Sequence, residues 1–121
     1  MATLLVNAGK EIVTNRISGS GTEPKYVAWG TGAGTAALAD TTLFTENGSR
    51  TTGTASRQTT TTTNDTYQVI GTNTASGALT ITNAGLFDAS TSGNLFVKGD
   101  FTGVVLSSGD SIQFTIKCQF T

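Results

Sequence analysis

Apolar and polar residues alternate along most of the chain after residue 24. The last eleven residues show this pattern most clearly. Their apolar row is Ile112, Phe114, Ile116, Cys118 and Phe120, with one polar residue at every position between. A strict period of two over about ten residues predicts a strand that buries one face.

Six further segments favour strands, and most are separated by turns that contain glycine beside serine or asparagine. They are 25–29, 41–46, 49–54, 66–72, 79–87 and 95–106. Asn47-Gly48 separates the second segment from the third, and this dipeptide strongly favours a tight turn, so we predict a hairpin over 41–54. The segment 55–63 is almost wholly polar. It fits either an extended strand that contacts a partner or a solvated loop.

Seven or eight strands separated by turns predict a single all-β domain, either a sandwich or a barrel, and the β-sandwich is our prediction. Residues 1–24 differ from the rest and are expected to form a short N-terminal arm with a short helix, while residues 25–121 form the sandwich. We predict the helix over 8–17, with Asn7 as its N-cap and Gly19 as its end.

The residue types present argue against catalysis. The 121 residues include no histidine, one cysteine and 25 threonines. Histidine is the usual proton shuttle near neutral pH, so acid–base chemistry here would need shifted carboxylates or lysines. Threonine instead suits a pleated surface that is wet on one side. We therefore expect no enzyme, no catalytic residue and no cofactor.

The charge balance narrows the choice of partners. Seven Lys and Arg residues face eight Asp and Glu residues, which gives a net charge of −1. A nucleic acid partner would require a basic patch that makes several phosphate contacts, and an anionic membrane would require a polybasic segment. The sequence contains neither, so we expect no nucleic acid, no membrane and no small-molecule substrate.

Two motifs are compatible with a bound ligand but have simpler explanations. Three aspartates at predicted strand ends, Asp88, Asp100 and Asp110, could together supply oxygen ligands to calcium, yet aspartates commonly stabilise turns. The glycine-rich stretch 30–34 resembles a phosphate-binding loop, but the helix and the lysine that such loops need are missing. We expect no metal site and interpret the stretch as a turn.

Aromatic and sulfur side chains also allow two interpretations. Tyr26, Trp29 and Tyr67 would suit stacking against sugar rings, although a single tryptophan on a strand is more often part of the core. Cys118 lies on the apolar face of the last strand, where it is expected to be a small buried residue rather than a nucleophile.

The apolar residues Leu4, Leu5 and Val6 are the best candidates for contact with a partner. An apolar arm ahead of a compact domain is either disordered or held by something. It either adds a strand to its own domain or docks on a neighbouring molecule, and the sequence leaves both alternatives open.

Four phrases in fixed order carry a family resemblance. KYVAWGTG at 25–32, NDTYQV at 64–69, NAGLFD at 83–88 and GDSIQF at 109–114 resemble small structural proteins of tailed bacteriophages. The chain is most similar to the cement, or decoration, proteins on the outside of phage heads, and similar modules occur in phage tail fibres.

This resemblance implies a β-sandwich or jelly-roll-like fold, a homotrimer, no cofactor and no catalysis. A cement protein would bridge neighbouring subunits of the major capsid protein at the head surface of the virion, after assembly in the host bacterial cytoplasm. The alternative is a tail-fibre or receptor-binding module that recognises a host surface.

Overall fold

The computed structural model describes residues 2–121 and contains one helix and eight strands in that range. The helix α1 spans Asn7–Ile17. The strands are β1 Ala2–Leu5, β2 Tyr26–Gly30, β3 Glu46–Thr52, β4 Thr54–Gln58, β5 Thr66–Thr74, β6 Leu79–Phe87, β7 Leu95–Leu106 and β8 Ser111–Gln119. The predicted all-β sandwich with one short helix is confirmed.

The strands form two antiparallel sheets that pack face to face. One sheet has five strands in the order β1-β7-β6-β2-β3, and the other has three in the order β4-β5-β8. At one side of the sandwich, β3 passes through Gly53 directly into β4 and so joins the two sheets. At the opposite side β1 and β8 are both edge strands.

The N-terminal segment is integrated into the larger sheet. Residues 2–5 pair with β7, so that Leu4 lies opposite Lys98 and Leu5 opposite Val97. The alternative in which the arm adds a strand to its own domain is therefore the one that the structure shows.

The helix ends at Ile17 as predicted but begins one residue earlier than predicted, at Asn7. Val6 occupies the N-cap position without a side-chain cap, and Asn7 is already helical. At the other end Gly19 adopts a φ of +86°. Its N–H donates to Arg16 O, and Ser20 N–H donates to Asn15 O. This is the paired hydrogen-bond pattern of a glycine-terminated helix, as expected.

The predicted hairpin over 41–54 was wrong. Residues on both sides of Asn47-Gly48 belong to one strand, β3, while 41–45 lies outside any strand. Val27 pairs with Thr51 but Trp29 pairs with Asn47, so three residues of β3 oppose one of β2. Gly48, with a φ of +69°, forms a bulge here. The left-handed conformation that suits a hairpin turn also suits a bulge.

The two sheets enclose an apolar core. Val27, Val69 and Leu86 lie in one cluster, and Trp29 belongs to a second one, where its ring meets that of Phe114 edge to face at 6.3 Å between centroids. Trp29 is therefore a core residue, as the simpler interpretation held. A third cluster lies on the outer face of the five-stranded sheet and includes Val6 and Leu43.

The last strand follows its predicted alternation with one exception. Its inward side chains are half-buried or buried from Ile112 to Cys118, whereas Phe120 lies past the end of β8 and is 45% exposed. The first part of the polar segment 55–63 belongs to β4, which pairs with β5, and the rest is a loop. Contact of this strand with a partner stays a prediction.

Candidate functional site

Buried polar side chains lie on the outer face of the five-stranded sheet, where the irregular segment 31–45 covers β6 and β7. Asn83 has no exposed surface. Its Oδ1 accepts a hydrogen bond from Phe44 N at 2.9 Å, and its Nδ2 donates to Phe44 O at 3.1 Å. Segment 31–45 contains no strand, so its backbone groups need other hydrogen-bond partners. The Asn83 amide provides them for Phe44.

Lys98 holds the same segment through its charge. Its side chain is 1% exposed, and Nζ lies 2.9 Å from Asp40 Oδ2 and 2.8 Å from Thr42 O. The ammonium group also sits 3.3 Å from the centre of the Phe44 ring. Hydrogen bonds from Ala37 N–H and Lys98 lower the pKa of Asp40 below its ordinary value. The Lys98 ammonium group therefore holds the segment 31–45 against the sheet, and the groups around it all belong to this chain.

Arg50 likewise holds a loop in place, namely the connection between β6 and β7. Its guanidinium pairs with Glu46 at 2.8 Å, donates to Ala89 O and Ser92 O, and lies 3.5 Å from the centre of the Phe87 ring. A planar donor of this kind satisfies several acceptors at once. It anchors the connection 88–94 to β3 and leaves little donor capacity for a ligand.

The three aspartates considered for calcium each stabilise a different loop. Asp88 Oδ1 accepts from Asn94 N at 2.7 Å, Asp100 Oδ1 from Ala36 N at 3.1 Å, and Asp110 Oδ2 from Ser107 N at 2.8 Å. Within residues 2–121, no three His, Cys, Asp or Glu side chains are grouped as metal ligands. Asp88 and Asp110 therefore stabilise local turns, as the simpler expectation held, whereas Asp100 lies within β7 and binds the distant segment 31–45.

The other predicted candidates are also dispersed. Tyr26, Trp29 and Tyr67 belong to three different apolar clusters and form no common platform. Burial raises the pKa of the Tyr67 hydroxyl, and the Glu23 carboxylate, which accepts its hydrogen bond, adds to the effect. Cys118 is buried, and that burial raises the pKa of its thiol. A thiol held in its neutral form is a poor nucleophile.

Gly30 of the glycine-rich stretch 30–34 is the last residue of β2, and the other four residues begin the covering segment 31–45. Thr31 N–H donates to Thr45 O, and Gly32 N–H donates to Phe44 O. These bonds extend the antiparallel pairing of Gly30 with Glu46 by two residues. The structure assigns no turn to residues 31–34, so the predicted turn is not observed.

Leu4, Leu5 and Val6 are placed within the chain's own fold. Val6 has no exposed surface, and Leu4 and Leu5 are half-buried. Contact of these residues with a partner stays a prediction, and their burial leaves less surface for it than an extended arm would offer.

A polar groove of about 480 Å³ lies beside Arg50 and is lined by Glu46 and the loop residues 90–92. Two further open grooves have mainly apolar linings. The first, which we call the helix groove, has a volume of about 360 Å³ and lies between α1 and Tyr67, with Ile17 and Phe120 at its rim. Ile17 is 83% exposed. The second, the edge groove, has about 320 Å³ between β8 and the β1–β7 edge and is lined by Thr3, Phe101, Phe114 and Ile116. The sequence did not predict either groove, because both depend on how distant elements meet.

The chain matches the model of one protein family, described as podophage GP4 fiber I protein gp80, over residues 6–118. No curated protein matches significantly. No solved structure does so either. Within residues 2–121, α1 with its 11 residues falls short of the length needed to cross a membrane.

Proposed function

Because the chain belongs to the podophage GP4 fiber I protein family, we propose that it is a non-catalytic structural module of a fibre on the phage particle. The observation that carries this proposal is the match over nearly the whole sandwich. The family match assigns the chain to phage fibre-related structural proteins. The absence of catalysis and the position within the particle are the proposed refinements.

The side-chain geometry supports a structural role. The polar groups of Asn83, Lys98 and Arg50 are engaged in holding loops on the sheets. A catalytic site would instead bring titratable groups together in a cleft where they can reach a substrate. The two grooves with mainly apolar linings, at the sides of the sandwich, suit contact with other protein surfaces.

The charge also fits an assembly held by contact. With a net charge of −1 the chain gains little from long-range attraction. Stable attachment then depends on shape-matched interfaces, of the order of 1,200–2,000 Å² each.

Capsid cementing is the second candidate, and the four phage-like phrases support it. It requires contact with the major capsid protein on the head surface. That contact and the homotrimer remain predictions.

One experiment separates the two roles. Particles produced without this chain are mixed with the purified protein and imaged by electron cryo-microscopy, with particles that already carry it as the control. We expect added density in a fibre. Stoichiometric binding to undecorated heads with a rise in their melting temperature would favour cement instead, and absence of the chain from mature particles would overturn both.

A further inference from the structure

The two sides of the sandwich differ in how their edges are treated. On the closed side the chain runs from β3 through Gly53 into β4. On the other side β1 ends the larger sheet and β8 ends the smaller one, with the edge groove between them. An edge strand carries unpaired N–H and C=O groups that can pair with another strand.

Among the four edge strands, β8 is the least protected against pairing with a strand of another molecule. β1 has four residues and β4 has five, and β3 is interrupted by the bulge at Gly48. β8 has nine residues, pairs with β5 without any break in register, and contains no proline. Lys117 is its only charged residue. Length, regularity and low charge are the properties that favour pairing between sheet edges.

Two hydrogen bonds fix which backbone groups of β8 are free. Asp110 O accepts from Ala75 N, and Phe120 N donates to Asp65 O, so both residues direct their backbone groups toward the β5 side. Because this direction alternates along a strand, the even-numbered residues between them bond to β5. The odd-numbered residues present their N–H and C=O groups at the open edge. They are Ser111, Gln113, Thr115, Lys117 and Gln119.

We propose that β8 pairs with β8 of a second copy of this chain, antiparallel about a two-fold axis at Thr115. In this register Thr115 faces its own equivalent, Gln113 faces Lys117, and Ser111 faces Gln119. No like charges lie opposite each other, and every residue in these pairs directs its backbone groups at the partner. The strand is therefore complementary to itself in both charge and hydrogen bonding.

The same register pairs the inward side chains. Phe114 lies opposite Ile116 of the second copy, and such aromatic–aliphatic pairs stabilise sheets. Both residues are half-buried and line the edge groove. Pairing would cover them and join two three-stranded sheets into one. The inference rests on the proposed structural role, for which it names the partner as another copy.

The first test removes one edge donor. Thr115→Pro deletes an N–H that has no partner within the chain, and proline is tolerated where the N–H of an edge strand faces outward. Thr115→Val keeps the N–H and is the matched control. We expect the wild type and Thr115→Val to sediment at twice the chain mass of 12.4 kDa. Thr115→Pro should raise the dimer dissociation constant by about tenfold or more.

The second test reads the register and does not depend on the proline variant folding. In a Cys118→Ala background, Thr115→Cys places two thiols at the axis, within the 4.4–6.8 Å between Cα atoms that a disulfide spans. Gln113→Cys is the control, since its two copies would lie about 13 Å apart along the strands. Mild oxidation should cross-link the first variant and leave the second monomeric in denaturing gels.

Each outcome decides the proposal. Wild-type protein that stays monomeric, forms a trimer, or associates as well with proline at 115 would overturn it, as would equal cross-linking of the two cysteine variants. These results concern the purified chain. The fibre assignment would survive them if the chain were still found in fibres of mature particles.

Discussion

The two faces of the five-stranded sheet are covered in different ways. The inner face packs against the second sheet through Val27, Leu86 and other apolar side chains. The outer face is covered by the irregular segment 31–45, which is held by Asn83 and Lys98. A sheet satisfies its own backbone groups, whereas an irregular segment needs side-chain partners.

This difference predicts how each face responds to substitution. The inner face depends on filled volume, so the loss of a large apolar side chain leaves a cavity. The outer face depends on hydrogen bonds and an ion pair. A substitution there is most destabilising when it leaves a buried polar group without a partner.

The largest effect is expected on the inner face. Phe114→Ala removes a ring that packs against Trp29 and Phe101. We expect it to lower the free energy of unfolding by about 2–5 kcal/mol, measured by urea denaturation. Thr72→Ala, at an exposed position of the neighbouring strand β5, is the control, with an effect of about 0.5 kcal/mol or less. A neutral Phe114→Ala would mean that β8 does not contribute to the core as described.

On the outer face, substitutions of Asp40 and of Lys98, which form one ion pair, should destabilise the protein by different amounts. Asp40→Ala leaves the buried Lys98 ammonium without its counterion, and we expect a loss of about 2–3 kcal/mol. Lys98→Met places an apolar chain of similar length among Phe44 and its neighbours. It leaves a carboxylate whose side chain is 23% exposed to water, so the loss should be about 1 kcal/mol.

The double variant sharpens this comparison. Adding Lys98→Met to Asp40→Ala should recover stability, because the stranded charge is removed. Urea denaturation of all four proteins gives the cycle. If Lys98→Met proves the more damaging single change, the hydrogen bonds that Lys98 donates to Asp40 and Thr42 matter more than the cost of a buried charge without its counterion.

The sequence predicted the strands far better than it predicted their neighbours. β6 and β7 have their expected bounds, because each carries apolar residues over a long stretch. Lys98 follows Val97 in β7, and the sequence analysis did not single it out. It is buried because Asp40 and Thr42, distant in sequence, fold over it. Local periodicity shows which side chains share a face and not what covers that face.

Edge and site features were missed for the same reason. The period of two in β8 identified its inward row, but only the strand order shows that β8 lies at an edge. Gly48 signalled a positive φ correctly, while the choice between turn and bulge depended on the pairing of β3 with β2. The partner contacts predicted for Leu4, Leu5 and Val6 stay predictions, since they concern molecules beyond the single chain.

The smallest effect concerns a loop outside both faces. Asp65 accepts hydrogen bonds from the N–H groups of Thr60, Thr61 and Thr62, and also from Gln119 Nε2. The bonds from Thr62 and Thr60 are the main reason that the pKa of Asp65 lies well below its ordinary value. Its stabilising contribution is therefore complete above the unfolded pKa of about 4. It is lost as the pH falls through the lower, folded value.

The variant Asp65→Asn isolates this contribution, because an amide does not titrate in this range. We expect the melting temperature of the wild type to fall more steeply between about pH 5 and pH 2 than that of the variant. Thr63→Ala, in the same loop, is the control and should follow the wild type. Equal pH slopes in Asp65→Asn and wild type would show that the loop's hydrogen bonds also persist in the unfolded chain. The acid sensitivity would then arise at carboxylates such as Asp40, whose pKa is also lowered and whose loss would release the outer face first.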